Sequence, residues 1–122
     1  VASEVVIEED LEESLDGLEE FSHIIVVFWM HKIPPMRQPL GKIHPQGRAG
    51  LPLVGLFATR SPYRPNPIGV RVARLVERKG NILRVVGLDA YDGTPVLDIK
   101  PFLPPYDSPA DFKVPEWIRR FK

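Results

Sequence analysis

The longest apolar run in the chain, His23-Ile24-Ile25-Val26-Val27-Phe28-Trp29-Met30-His31, is β-branched and aromatic with no polar alternation. That pattern predicts a central strand buried on both faces. Glu4-Val5-Val6-Ile7-Glu8 predicts an earlier strand, edge-like because acids flank it. Leu11, Leu15 and Leu18 recur at helical spacing among acidic residues, so Asp10 to Leu15 reads as a short surface helix ending near Gly17. Val70 to Glu77 and Ile82 to Gly87 set apolar residues between polar ones, and Arg78-Lys79-Gly80-Asn81 joins them as a hairpin. Val96 to Lys100 predicts a last strand halted by Pro101, followed by an extended, proline-rich exit and a terminal helical turn from Pro115 to Phe121. Ile33 to Pro52, rich in Pro, Gly and basic residues, predicts a long loop, and loops of that length tend to be functional. Short strands, frequent turns and little helix predict a mainly β fold, a small antiparallel β-barrel with short helical segments.

A chain of 122 residues supports one core, so residues 1–122 are read as a single domain. The formal net charge is zero, but the signs are segregated. Every charged side chain from Val1 to Glu20 is acidic, whereas from His31 to Lys79 the only acid is Glu77. The basic middle is a candidate nucleic-acid or phosphate surface. Absence of cysteine excludes disulfides and thiolate chemistry and fits a reducing compartment, expected to be cytoplasmic. The run from Ile24 to Met30 is too short for a membrane-spanning helix, and no signal-peptide pattern is present, so no membrane partner is expected. The chain opens on Val1 rather than methionine, which leaves room for residues upstream.

Candidate chemistry concentrates in Gly55 to Gly69, GLFATRSPYRPNPIG. Pro62, Pro65 and Pro67 each fix their own φ and push Ser61, Arg64 and Asn66 towards extended geometry. Such a loop either holds Arg60, Ser61, Tyr63, Arg64 and Asn66 ready for a ligand or is only a well-determined corner of the fold. Asp92-Gly93-Thr94-Pro95 is a second such place: a turn between strands, or a backbone edge that reads a heterocycle. Asp98 and Lys100, two apart on one strand face, are expected to pair with each other or with loop arginines; Asp89 is placed to order Arg60 or Arg64. His23 and His31 lie roughly 27 Å apart along an extended strand, too far to share an ion, so no metal site is expected. His23 reads as structural, while His31, ending the apolar strand beside Lys32, is open to either role. Neither a P-loop, nor G-x-G-x-x-G, nor G-x-S-x-G occurs, so any cofactor must sit in an unconventional site.

Three ordered blocks carry a resemblance. Gly55-Leu56-Phe57-Ala58-Thr59-Arg60-Ser61 with Arg64-Pro65-Asn66-Pro67-Ile68-Gly69 resembles the signature of the TrmO family, also called TsaA-like or YaeB-like. Leu88-Asp89, Asp92-Gly93-Thr94-Pro95-Val96 and Asp98-Ile99-Lys100-Pro101-Phe102-Leu103-Pro104 look like its second block. Leu18-Glu19-Glu20-Phe21-Ser22-His23 with the apolar strand ending at His31 is a third match, and the likeness runs in order from about Val5 to Tyr106. The resemblance implies a small β-barrel methyltransferase that uses S-adenosylmethionine without a Rossmann fold. Its substrate would be N6 of threonylcarbamoyladenosine beside the tRNA anticodon, and it would act as a homodimer with the donor near the subunit interface. Donor contacts would map onto His31, Lys32, Arg60, Val70, Asp92, Gly93, Thr94 and Pro95. Arg60, Asn66 and Asp92 would carry catalysis; Arg37, Arg48, Tyr63 and Arg64 would hold the RNA, with Tyr63 stacking on an unpaired base. The family's first strand, with an Ile-Gly-x-Ile-x-Ser-Pro pattern, and its Pro-Arg-Gln donor contact do not precede the matched blocks. The Arg37-Gln38 pair is not that motif.

The implied reaction is an in-line displacement in which the N6 lone pair attacks the sulfonium methyl. The protein would supply positioning and exclusion of water, with Asp92 as the nearest candidate base. Two rival readings use the same residues: a non-catalytic S-adenosylmethionine-binding module, and an RNA-binding β-barrel without a cofactor.

Overall fold

β2 (His23–Trp29) forms where the apolar run predicts it and is clasped by two antiparallel neighbours, β5 (Ile68–Lys79) and β7 (Val96–Pro101). The computed structural model describes residues 2–33 and 41–121. β1 (Ala2–Val6) pairs with β6 (Ile82–Val86), which pairs with β5, giving one five-stranded antiparallel sheet in the order β1-β6-β5-β2-β7. β1 takes the edge position that its flanking acids predict. Burial along β2 alternates, which corrects the expectation of two equally buried faces. Ile24, Val26 and Phe28 point inward beside Ala73, Leu75, Leu83 and Val85 and form the core with Val5, Leu15 and Leu88. Ile25, Val27 and Trp29 lie on the outer face opposite Val72, Val70 and Ile68, which remain 45%, 49% and 42% exposed. An apolar face half open to solvent gives the same unbroken hydrophobic run as a doubly buried one, because sequence records composition and not coverage.

Among the described residues the sheet is open: no ladder joins β1 to β7, so the expected closed barrel is not found there. The two edges instead border a cavity of about 1020 Å³, lined by the core residues Phe28 and Leu88 and by the half-buried Val96.

Other differences are local. The acidic segment Glu9–Leu15 coils as a 3-10 rather than an α-helix, with Leu15 turned into the core. Arg78 holds this segment to the β5–β6 hairpin, donating to Asp16 at 2.8 Å, Glu19 at 3.0 Å and the Glu12 carbonyl at 3.1 Å. The strands of that hairpin run up to Lys79 and Ile82, so the turn is only Gly80-Asn81, with Gly80 at φ 58°. The expected long loop contains β3 (Lys42–Ile43), which pairs with β4 (Val54–Gly55) just beyond it, and Pro45–Gly47 makes a 3-10 turn between them. The proline-rich exit contains one α-turn, Pro104–Asp107, before the terminal 3-10 turn Glu116–Arg120. Leu51, Leu56 and Trp117 are buried outside the main core.

Candidate functional site

Strand direction decides where the two proline-stiffened corners lie. Because β2 is antiparallel to both β5 and β7, its C-terminal end meets the N-terminal ends of both. The segment entering β5 ends in Arg64-Pro65-Asn66-Pro67, and the one entering β7 is Asp92-Gly93-Thr94-Pro95. Two backbone bonds fasten them to the strand end: Met30 N–H donates to the Pro67 carbonyl at 2.8 Å and Trp29 N–H to the Pro95 carbonyl at 2.9 Å. His31 and Lys32 follow at once, both exposed, and the Lys32 ammonium lies 5.6 Å from the Tyr91 ring centre. Three chain corners therefore meet at one end of the sheet.

The 56–67 corner is held by its own side chains. Leu56 is buried, and its N–H donates to the Gly41 carbonyl at 2.8 Å. Thr59 hydroxyl donates back to the Leu56 carbonyl at 2.7 Å and accepts from Ser61 N–H at 3.2 Å. Arg64 turns inward over this turn: one of its terminal nitrogens donates to the carbonyls of Thr59 at 2.8 Å and Ser61 at 3.1 Å. Its guanidinium also lies 5.5 Å from the centre of the Phe57 ring. Arg64 is thus a staple of the corner. Arg60 and Asn66, by contrast, are exposed, and Arg60 makes no hydrogen bond or ion pair with the described residues.

In the second corner Gly93 takes φ 80°, and the position of a side chain there is open space, so a ligand can approach its backbone closely. Thr94 N–H and hydroxyl both donate to the Tyr91 carbonyl, closing the turn. Asp92, Gly93, Thr94 and Pro95 all border the large cavity; His31, Lys32, Arg60 and Val70 do not. Val70 lies on the outer face of β5, opposite Val27. The residues expected to share one donor thus divide between those that border the cavity and those that do not.

Of the residues expected to hold RNA, Tyr63 is half exposed beside Arg60 and Arg64. Arg48 is engaged elsewhere, donating to the Arg120 carbonyl at 2.5 Å, while Arg120 donates to the Gly50 carbonyl at 3.3 Å. Arg37 lies outside the described residues. Asp98 and Lys100 pair with each other at 2.8 Å. The hydrogen bond from Lys100 and that from Ile99 N–H lower the Asp98 pKa, and Asp98 in turn raises that of Lys100. Both are exposed and form a surface pair. His23 accepts or donates at 2.7 Å with the Ser22 hydroxyl and meets Phe102 edge-on, a structural placement.

Residue-level reasoning did not single out Phe57, although it lies inside the motif; the signal was an aromatic beside a buried leucine in a turn. Comparison with known proteins places this geometry in a wider set. A model of the tRNA-methyltransferase O N-terminal domain matches residues 1–108. A probable S-adenosyl-L-methionine-binding protein of Pyrococcus abyssi is 43% identical over 114 residues, 91% of this chain and 57% of that protein. The tRNA (adenine(37)-N6)-methyltransferase of Mus musculus is 46% identical over 103 residues, 84% of this chain and 23% of that protein. The crystal structure of a TrmO from P. aeruginosa superposes with a TM-score of 0.72 at 34% identity, covering 95% of this chain and 47% of that one. The chain spans only part of the length of each.

Proposed function

The chain belongs to the family of the tRNA-methyltransferase O N-terminal domain, and from that membership we propose that it transfers a methyl group from S-adenosylmethionine to N6 of an adenine in tRNA. The finer reading is that this adenine carries a threonylcarbamoyl group beside the anticodon. One observation carries the proposal: the two motif corners are bonded to the same strand end, through Pro67 and Pro95. The name of the mouse relative supports the reaction, and that of the archaeal relative supports the donor.

The residues fit such a donor. Gly93 leaves its backbone open to a flat or ribose edge, and Arg60, unpaired among the described residues, supplies a cation for a carboxylate. S-adenosylmethionine when bound supplies a methyl group already activated by its sulfonium. The tasks left to the chain are to orient the adenine, exclude water and accept the N6 proton. In this reading Asn66, exposed two residues before β5, orients the base, and Asp92, exposed on the cavity rim, takes the proton.

The same reading includes a homodimer. The outer face of β5 and β2 exposes Ile68, Val70 and Val72 in a row, and a second copy would cover it. A strand between the free edges of β1 and β7 would close the sheet into the barrel that the resemblance implies. No helix among the described residues is long and apolar enough to cross a membrane, and the reading places the activity in the cytoplasm.

The experiment is incubation of the protein with labelled donor and tRNA, with and without the threonylcarbamoyl group. Label appearing only in the modified tRNA supports the full reading, and label in both supports the coarser one. Donor binding by calorimetry without transfer to either would favour a non-catalytic donor-binding module, the reading that the archaeal relatives' names suggest.

A further inference from the structure

Phe57 is 77% exposed, yet it stands in a turn held by hydrogen bonds on both sides. Its backbone is fixed on one side by buried Leu56, bonded to Gly41, and on the other by Thr59, which donates twice to the Leu56 carbonyl. Its ring is backed by the Arg64 guanidinium, itself pinned to the Thr59 and Ser61 carbonyls. A solvent-facing phenylalanine on a mobile loop would need no explanation. One held with a cation beneath it and its remaining surface open is a preorganised plane.

The surroundings select what would lie on it. Lys42 pairs across β3–β4 with Gly55, two residues before Phe57, and Arg60 follows three residues after it. From His31 to Val76 the sequence contains no acid. An apolar plane backed by the Arg64 guanidinium, in an acid-free stretch of chain, matches a ligand that is flat and anionic at once. We propose that Phe57 is a stacking platform for an unpaired nucleotide of the RNA substrate, the base resting on the ring while Lys42 faces its phosphates. This rests on the tRNA reading above and adds to it the requirement for a second, non-reacting base next to the methylated one. Stacking is tolerant of base identity, so Phe57 sets affinity for looped RNA rather than sequence choice.

The test uses the full chain, the variants Phe57→Leu and Phe57→Trp, and two labelled RNAs: an anticodon stem-loop and a fully paired duplex of equal length. Phe57→Leu is expected to weaken stem-loop binding, and to raise KM for tRNA, by about 5- to 100-fold. Donor affinity, melting temperature and duplex binding stay unchanged, and Phe57→Trp restores stem-loop binding. Equal stem-loop binding by wild type and Phe57→Leu, in a protein that transfers methyl groups, overturns the inference alone. So does an equal loss for stem-loop and duplex. Sedimentation showing that Phe57→Leu converts a dimer to a monomer would instead assign the ring to self-association and also overturn it. Failure of the wild type to bind or methylate tRNA would remove the functional reading itself.

Discussion

The Phe28 ring lies over Gly69, and a Cβ built on that glycine would stand 2.5 Å from the ring edge. The two residues face each other across the β2–β5 ladder, Phe28 in the core and Gly69 at the end of the proline motif. Gly69 has an ordinary strand conformation, so it is there for space and not for φ. Gly69→Ala must therefore push the ring out of the core and is expected to destabilise by about 1–3 kcal/mol. It should also strain the nearby Met30–Pro67 bond, so donor affinity falls with stability. Urea unfolding and calorimetry check both; an unchanged midpoint would mean that the core absorbs a methyl group there freely.

Arg78 tests how the acidic segment is attached. Its side chain is only 12% exposed and serves Asp16, Glu19 and two carbonyls. Its hydrogen bond, followed by that from Gly17 N–H, lowers the Glu19 pKa below the usual value of 4.5. A carboxylate lowered on folding adds stability that is fully present above about pH 4.5 and is lost as pH falls through the folded value. Arg78 itself, raised by Asp16 and then Glu19, stays charged throughout. Arg78→Met should lower the melting temperature at pH 7, and the gap to wild type should narrow as pH drops below 4.5. A gap independent of pH would mean that the ion pairs contribute nothing beyond packing.

The main sheet was legible because its strands state themselves locally: the 23–31 run, the 70–87 hairpin with Gly80, and 96–100 before Pro101. What was not legible depended on distant partners. Lys42–Ile43 and Val54–Gly55 are too short for a pattern and exist because each completes the other. Openness of the sheet depends on whether β1 and β7 pair, which no local run encodes. In the site, residue types and corners were readable, but orientations were not. Arg64 and Arg48 carry the charge expected of RNA contacts, yet one terminal nitrogen of each is already engaged with nearby or distant carbonyls.

The C-terminal turn lies beyond the residues matched by the family, 1–108, yet it fastens the β3–β4 unit. Trp117 is buried and packs against Phe121 at 5.5 Å between ring centres. Trp117→Ala is expected to cost about 3 kcal/mol, mostly local. Amide exchange should quicken across residues 48–56 while β2 and β5 keep their protection. Uniform loss of protection would show instead that the tail belongs to the main cooperative unit.

Salt dependence checks the electrostatic part of RNA binding. If about five phosphates are neutralised at the basic end, affinity for the stem-loop should drop about 10²- to 10³-fold between 50 and 200 mM salt. Fluorescence anisotropy across that range gives the slope. A flat response would remove phosphate contacts from the account and leave stacking alone.

Arg60 and Arg64 separate function from scaffolding within five residues of sequence. Arg60 is exposed and unbonded among the described residues, so nothing in the fold depends on it. Arg60→Ala should keep the wild-type melting temperature and weaken donor binding, and with it methyl transfer at limiting donor, by about 10- to 100-fold, the scale for removing one hydrogen bond to a charged group. Arg64 ties Thr59 and Ser61 and backs Phe57, so Arg64→Ala should loosen the turn. Its losses should therefore spread over donor affinity, RNA affinity and proteolytic resistance of residues 56–67. Lysine at 64 would restore charge but not the two-carbonyl grip and should not rescue. Full activity in Arg60→Ala would reverse the assignment, leaving Arg64 as the arginine on which transfer depends.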